Sequence, residues 1–312
     1  MKHWSIVLFL VILLSLSYAY YNFFATHTIM SVGNVATVSK EDLIEEIEKH
    51  AKTLNEAPQE PYIDRVWKKT PGRNGRKVNI KKSYENMKKK NQYDESLVVF
   101  DDVRPTKSLN ELAPSPIFRG HPEKKMVALL INVSWGNEYI PTILKTLDKH
   151  DVKATFFIEG RWAKENADLV RMIDEKNHVI GNHAYSHPNM AIISRTEKVQ
   201  EIEQTNHILE AIIGYHPKWF APPSGSYNDS VVQIAHDLQM ETILWTVDTI
   251  DWKNPSVSVM INRVMGNIHP GATILMHPTE SVAQGLENLI DEIKHEKYKI
   301  GTIEDLLSTN RS

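Results

Sequence analysis

The strongest constraint on the fold is a regular alternation of apolar runs and helical patterns that begins at Lys125 and continues to the end of the chain. Residues 126–133 form a continuous apolar run, which is typical of a strand buried on both faces. Residues 139–149 then carry their apolar side chains at helical spacing. About seven such repeats predict a parallel sheet with right-handed crossovers, and this number favours a barrel over an open sheet.

The same patterns place the remaining elements. The further predicted strands are 152–158, 178–181, 218–221, 242–247, 272–276 and 298–302. The further predicted helices are 161–175, 196–213, 229–238, 257–268, 283–294 and a short last helix. Gly214 directly follows the helix 196–213, which is typical of a left-handed C-terminal cap. No glycine-rich phosphate loop follows any strand, so nothing in the sequence indicates nucleotide binding.

Composition excludes several functional classes. The chain of 312 residues has a net charge of -3, whereas a dedicated nucleic-acid-binding domain is normally basic. It contains no cysteine, which removes disulfides, thiolate metal sites and cysteine nucleophiles together. Any chemistry therefore depends on His, Asp, Glu, Ser and Lys side chains.

The first residues resemble an export signal. Lys2 and His3 precede an almost unbroken apolar run over residues 4–16, and Ser-Tyr-Ala at 17–19 resembles a cleavage site. Aromatic residues directly afterwards lengthen this run toward the roughly 20 residues that span a membrane. Residues 1–28 are therefore either a cleaved signal peptide or a retained membrane anchor. Both alternatives predict that the rest of the chain lies outside the cytoplasm.

Residues 29–124 differ from the repeats and predict a small α+β accessory region followed by a linker. Ser39 to Asp42 has a capping-box pattern, which predicts a helix through about Lys52. Residues 97–100 are apolar enough for a short strand, and residues 105–122 are rich in proline, as in a linker. The predicted boundaries are 1–28, 29–124 and 125–312.

A basic stretch runs from Lys68 to Lys90 within the accessory region. Two interpretations are open. The simpler is a solvated helix face and loop, and the functional one is contact with an anionic wall polymer or a membrane surface.

Polar residues follow the ends of several predicted strands, and in α/β barrels these ends surround the active site. They are Ser134, Trp135 and Glu138 after the first strand, His183 and His187 after the third, Pro223, Ser224 and Gly225 after the fourth, Asp248, Asp251 and Trp252 after the fifth, and His277 after the sixth. The two histidines at 183 and 187 stand four residues apart, so on a helical or tightly turned backbone both rings could reach one ion. Convergence of these groups predicts a site at the barrel mouth.

Three segments carry a family resemblance: the histidine pair at 183–187, Val-Asp-Thr-Ile-Asp-Trp at 247–252, and Leu-Met-His-Pro at 275–278. Over residues 125–307 the chain resembles the polysaccharide deacetylases, the NodB-homology carbohydrate esterases, and among them the sporulation-associated YlxY-like branch. The resemblance implies a distorted (β/α)7-8 barrel. It also implies removal of acetyl groups from peptidoglycan or a related polysaccharide with a divalent metal, zinc or alternatively cobalt.

The resemblance also implies roles for individual residues. His183 and His187 would hold the metal, His277 would be the general acid, and Asp251 or Asp248 would pair with it. The implied substrate pocket consists of Ser134, Trp135, Pro223, Ser224, Gly225, Trp252 and Leu275.

Two motifs depart from the family pattern. The first, Thr-Phe-Asp-Asp-Gly in the family, reads Asn-Val-Ser-Trp-Gly at 132–136, so Ser134 replaces the base and Trp135 replaces the third metal ligand. The family's third motif, roughly Arg-Pro-Pro-Tyr-Gly, reads Ala-Pro-Pro-Ser-Gly at 221–225, so Ala221 replaces the arginine that positions the base. Glu138 is an alternative carboxylate nearby. Because removing a general base costs about 10²–10⁴ in rate, we expect weak or absent activity and a weakly held metal. The alternative is a non-catalytic, membrane-tethered glycan-binding or scaffold protein on the same barrel.

Overall fold

A computed structural model describes residues 39–311 of the chain. The predicted signal or anchor at residues 1–28 lies outside this range. Within it, no helix is both long and apolar enough to cross a membrane.

The elements follow one another along the chain as expected for an α/β protein. The helices are α1 (Lys40–Leu54), α2 (Ile80–Met87), α3 (Ile140–Lys149), α4 (Gly160–Glu165), α5 (Ala167–Glu175), α6 (Arg195–Ile213), α7 (Asp229–Asp237), α8 (Val257–Met265), α9 (Glu280–His295) and α10 (Ile303–Leu307). The strands are β1 (Tyr62–Asp64), β2 (Lys68–Thr70), β3 (Gly75–Val78), β4 (Phe100–Val103), β5 (Met126–Val133), β6 (Thr155–Ile158), β7 (Val179–Asn182), β8 (Trp219–Phe220), β9 (Glu241–Thr242), β10 (Val247–Asp248), β11 (Thr273–Met276) and β12 (Lys299–Gly301).

Residue contacts divide the described chain into two compact units, of which the smaller comprises residues 39–54 and 78–100. The predicted capping box opens α1, because Ser39 Oγ accepts from the Asp42 amide at 3.1 Å and Asp42 Oδ2 accepts from the Ser39 amide at 2.7 Å. The apolar face of α1 forms one buried cluster with residues of α2 and with Val78, which precedes α2. That cluster contains Leu43, Ile47, Ala51, Val78 and Met87.

The larger unit comprises residues 55–77 and 101–311 and contains the predicted barrel. Eight of the described strands form one parallel sheet in the order β10-β11-β5-β6-β7-β8-β9, with β12 paired to β5. All eight residues of β5 are buried, as the continuous apolar run predicts for the central strand. The sheet curls, and helices cover its outer face, so the fold is the distorted α/β barrel that the repeats predict.

The pairing register brings the carboxyl ends of the strands to one level. Val133 of β5 lies opposite Ile158 of β6, and Ile158 lies opposite Asn182 of β7. On the other side of β5, Ile131 lies opposite Met276 of β11. The side chains that directly follow β5, β7 and β11 therefore meet at one mouth.

The predicted strand 242–247 differs in the structure, where it is two short strands at opposite ends of the sheet. β9 pairs with β8 and β10 pairs with β11, so this one segment joins both edges of the curled sheet. Ile117 lies between the edges, because its amide donates to Thr242 O and its carbonyl accepts from the Leu244 amide. The segment therefore bends and closes the barrel. The alternation of side chains along a strand does not show this bend, because alternation does not say which strands pair.

The contacts also divide the chain elsewhere than at the predicted boundary of residue 125. Residues 55–77 and 101–124 group with the barrel. Ile117 is fully buried, Thr273 Oγ1 donates to Phe118 O at 2.6 Å, and Lys124 Nζ donates to Ser308 O at 2.9 Å. The proline-rich segment predicted as a linker is thus part of the barrel wall, since Pro interrupts helices but permits an extended edge segment.

Part of the basic stretch is engaged inside the molecule. Lys69 is fully buried and pairs with Glu241 at 2.6 Å. Arg73 pairs with Glu123 at 3.0 Å, and Arg76 pairs with Glu56 at 2.6 Å. These three charges are therefore neutralised within the chain and are not free to attract an anionic polymer.

Two of the predicted helices have informative ends. The predicted helix 161–175 is divided at Asn166, whose φ of -130° lies outside the helical region. α6 opens with a capping box between Ser194 and Glu197, and it ends at Gly214 with a φ of 83°. The left-handed cap predicted from the glycine is confirmed.

We expect Gly214→Ala to lower the free energy of unfolding by about 1 kcal/mol, because a side chain in the left-handed region is strained. An added Cβ would meet no atom within 4 Å, so backbone strain alone sets this cost. Urea denaturation measures it. Gly214→Asn is the control and should lose less, since asparagine tolerates this conformation. Equal stability of the alanine variant and the parent would contradict the prediction.

Candidate functional site

A cavity of about 310 Å³ lies at the carboxyl ends of the strands, and we refer to it as the barrel pocket. Its lining residues are Asn132, Trp135, His183, His187, Ser224, Trp245, Asp248, Trp252, Leu275 and His277. The volume is at the lower end of the roughly 300–1,000 Å³ typical of small-molecule sites. Eight of the ten lining residues are among those predicted from the strand ends and the motifs.

The histidine pair lies in a loop and not on a helix. Ala184 and His187 have positive φ values of 60° and 57°, and these turns bring the two imidazole centroids of His183 and His187 to 5.1 Å. His183 Nδ1 lies 2.7 Å from Ala221 O and donates to it, which leaves Nε2 without a proton. Burial lowers the pKa of His183 to about 3, helped by the neighbouring His187, so the ring is neutral.

Glu201 of α6 holds the loop that carries this pair. Its Oε2 accepts from the amides of Tyr185 and Ser186, both at 2.8 Å, and its Oε1 accepts from Ser186 Oγ at 2.6 Å. A charged acceptor with three donors is stronger than neutral hydrogen bonds. The loop geometry is therefore built into the fold.

His277 is oriented by Asp251, which is fully buried. His277 Nδ1 lies 3.0 Å from Asp251 Oδ1, and the His277 amide donates to Asp251 Oδ2 at 2.9 Å. Thr249 and Thr279 hydroxyls complete the shell at 2.7 and 2.9 Å. Burial raises the pKa of Asp251, but hydrogen bonding and charge from His277 outweigh it and hold the pKa below its usual value. The dyad that a general acid requires is thus assembled.

Asp248 does not share in this dyad. Its Oδ1 accepts from the Ile250 amide at 2.8 Å, and its side chain lines the barrel pocket. Of the two carboxylates that sequence reasoning proposed for pairing with His277, Asp251 makes the pair and Asp248 faces the pocket.

Trp135 stands where the third metal ligand of the family would be. Its ring stacks on His277 with centroids 5.2 Å apart and planes within 14°. The neighbouring Gly136 has a φ of 80°, and a Cβ there would lie 1.9 Å from Pro278 O. Only glycine allows this close approach of the two strand ends, which brings the indole onto the imidazole.

Besides Asp251, which lies behind His277, the residues Ser134, Glu138, Pro223 and Gly225 also lie outside the lining of the pocket. Ser134 Oγ is buried and lies near the Glu159 carboxyl, and Ser134 is not among the residues that line the cavity. Pro223 is buried, and Gly225 packs under Trp245. Glu138 is exposed beyond the motif, where its carboxylate replaces neither the base nor the ligand.

Sequence reasoning missed two lining residues, Asn132 and Trp245. Asn132 is 3% exposed, and its Oδ1 has no hydrogen-bond partner within the described range. A single amide in an otherwise apolar strand was the available signal. Trp245 lies between β9 and β10, where the chain bends. Because the sequence predicted one straight strand over residues 242–247, Trp245 was not expected to line a pocket.

The side chains present do not fit a catalytic metal centre. Such a centre normally has three protein ligands. Apart from His277, which Asp251 holds, the pocket offers the imidazoles of His183 and His187, and Trp135 stands where the family resemblance implies the third ligand. Among residues 39–311, no group of three or more His, Asp or Glu side chains is arranged to hold a metal ion. The pocket contains the imidazole of His277, which Asp251 holds, the imidazoles of His183 and His187, the carboxylate of Asp248 and three indoles.

Comparison with known proteins agrees with the sequence motifs. The family described as polysaccharide deacetylase matches residues 119–243. Protein YlxY of Bacillus subtilis is 48% identical over 275 residues, which cover 88% of this chain and 86% of that protein. A peptidoglycan-N-acetylglucosamine deacetylase of Bacillus cereus is 35% identical over 199 residues, covering 62% of this chain and 72% of the relative. Deacetylases of this family are generally metal-dependent.

Solved structures lead to the same family. A CE4 family pseudoenzyme from Bacillus anthracis has a TM-score of 0.83 and 53% identity, covering 86% of this chain and 96% of its own. A mutant of that pseudoenzyme with restored enzymatic activity is 52% identical with the same TM-score of 0.83, covering 86% of this chain and 99% of its own. The chain belongs to the polysaccharide deacetylase family, carbohydrate esterase family 4, and to its YlxY-like branch, with the first and third motifs degenerate.

Proposed function

We propose that the protein binds the amino-sugar glycan of peptidoglycan in the barrel pocket and turns it over weakly or not at all. The observation that carries this proposal is the stacking of Trp135 on His277 at the position of the third ligand. This contact supplies an aromatic surface where a hydrolase needs a carboxylate. Any zinc or cobalt ion, with two imidazoles for ligands, is weakly held.

Two exposed indoles support glycan binding. Trp135 is 43% exposed and Trp252 is 51% exposed, so each presents a large aromatic surface to solvent. Both line the barrel pocket. Aromatic faces of this kind provide flat apolar surfaces against which a sugar ring packs.

The test measures binding and turnover on the same full-length protein. With zinc or cobalt added, we expect sedimentation with purified peptidoglycan and little or no acetate release. Trp252→Ala should weaken binding about tenfold, a loss of about 1.4 kcal/mol, because the indole platform is removed. Tyr215→Ala is the control, since Tyr215 is similarly exposed at 43% but lies outside the pocket. Acetate release as fast as that of an active deacetylase of the family, and abolished by His183→Ala, would overturn the assignment of weak or absent turnover.

The proposal also includes a location outside the cytoplasm and a contact between the basic stretch and an anionic surface. An export signal or anchor in residues 1–28 would deliver the barrel to the wall side of the membrane, in agreement with a role in sporulation. Exposed lysines of the basic stretch from Lys68 to Lys90, such as Lys81 and Lys89, would contact an anionic wall polymer or the membrane surface. Fractionation of cells, with alkaline carbonate extraction, distinguishes an anchored protein from a secreted one.

A further inference from the structure

The barrel pocket contains hydrogen-bond acceptors that the protein leaves unpaired. His183 donates through Nδ1 to Ala221 O, so the ring offers Nε2 as an acceptor. Asn132 is only 3% exposed, and its Oδ1 has no hydrogen-bond partner within residues 39–311. An unpaired buried acceptor costs about 1–3 kcal/mol. The pocket therefore favours a ligand that brings several hydrogen-bond donors.

The pocket also attracts positive charge. Asp248 lines it, and no lysine or arginine of the described residues does. The indoles of Trp135, Trp245 and Trp252 line the same cavity, and an indole face attracts a cation within about 6 Å. The chain shows this at its rim, where Lys253 Nζ lies 4.8 Å from the Trp252 ring centroid. A carboxylate with several aromatic faces is the arrangement that recognises an ammonium group.

We propose that the barrel pocket prefers the free ammonium of a deacetylated amino sugar, a glucosamine unit of a glycan chain, over its acetylated form. The inference rests on the proposed glycan binding and specifies which form of the sugar is recognised. An ammonium brings one positive charge and three N–H donors to Asn132, His183 and Asp248. An acetamido group brings one N–H donor and no charge, and it leaves more of these acceptors unpaired.

A preference for the ammonium form would follow from the replacement of the third metal ligand by Trp135. In a family member with three ligands, a metal ion would satisfy the same imidazoles. With Trp135 in the third position, the imidazoles and Asn132 stay available as acceptors, and the added indole contributes a cation-binding face. The reaction that supplies such a ligand is an N-deacetylation of the same glycan. The protein would then recognise the product of its active relatives' chemistry.

The experiment is isothermal titration of the full-length protein with three tetrasaccharides at low salt and pH 6. These are the tetramer of glucosamine, the tetramer of N-acetylglucosamine, and cellotetraose, which lacks nitrogen. We expect the glucosamine tetramer to bind about tenfold more tightly than the acetylated one. Asp248→Asn should remove most of this preference, because it weakens binding of the glucosamine tetramer more than binding of the acetylated tetramer. Asp168→Asn, an exposed carboxylate outside the pocket, alters net charge equally and should change neither affinity.

A second variant tests the same inference at a different residue, in case the Asp248 substitution disturbs the local fold. Trp135→Leu should reduce the preference about fivefold, because it removes one indole face from a partly exposed position. Tighter or equal binding of the acetylated tetramer would overturn the inference and leave glycan binding intact. Binding of neither tetramer would overturn the proposed function itself. Binding that is lost equally for both tetramers in Asp248→Asn would also refute an ammonium site.

Discussion

Combining Ser134→Asp with Trp135→Asp is expected to produce a zinc-binding deacetylase that releases acetate from chitooligosaccharides about 10²–10⁴-fold faster than the parent protein. The change at position 135 would join His183 and His187 as the third protein ligand, the number that a catalytic zinc site normally has. The change at position 134 would supply the base that the family resemblance assigns there. His277, already held by Asp251 at 3.0 Å, would act as the acid.

A relative supports this expectation. The Bacillus anthracis pseudoenzyme, 53% identical to this chain, has a mutant with restored enzymatic activity. The measurements are zinc retained after desalting and acetate released with time. Trp135→Asp alone should retain zinc but release little acetate, and Trp135→Phe should do neither. Adding Ala221→Arg should raise the rate further by positioning the new base. If the double variant gains no zinc affinity, position 135 is not that of the third ligand.

Asp251→Asn is expected to lower the free energy of unfolding by about 3–5 kcal/mol at pH 7. Asp251 is fully buried and accepts from His277 twice and from Thr249 and Thr279. An asparagine turns one acceptor oxygen into a donor that faces donors, so the shell is left unsatisfied. Asp248→Asn is the matched control and should cost far less, since the Asp248 carboxylate accepts from the Ile250 amide and lines an open pocket.

The same residue should give stability a dependence on pH. The pKa of Asp251 is lowered in the folded state, so the ionised form stabilises the fold above the unfolded pKa of about 3.9. This contribution is lost as the pH falls through the lower folded pKa. Urea denaturation between pH 7 and pH 3 should show a smaller loss in Asp251→Asn than in the parent protein. Identical pH slopes in the two proteins would show that Asp251 does not carry this dependence.

Much of the barrel could be predicted because its signals are local. The run at 126–133 is apolar at every position, and the structure places β5 at these residues in the centre of the sheet. Gly214 follows an amphipathic helix, and the left-handed cap is found there. Such patterns depend on near neighbours in the chain, which the sequence displays directly. The strand 242–247 was mispredicted as one element because its two halves pair with different, distant partners.

The sequence predicted most of the residues that line the candidate site, but it predicted less of how their side chains are arranged. The family motifs identified His183, His187 and His277, and the structure brings all three to one pocket. Neither motif nor periodicity could show that Asn132 lines the pocket while Ser134 does not. That difference depends on how the turn after β5 is held by Gly136 against Pro278. It is a contact between residues more than a hundred positions apart.

By itself, the sequence determined the alternating elements, the family and the loss of two carboxylates at residues 134 and 135. Only the tertiary structure decided what replaced them. It stacks Trp135 on His277, buries Asp251 behind that histidine, and leaves Asn132 unpaired beside His183. The physical reason is that periodicity and motifs record local backbone preference and residue identity. Charge, burial and hydrogen bonding at the barrel mouth depend instead on side chains that six different strand ends bring together.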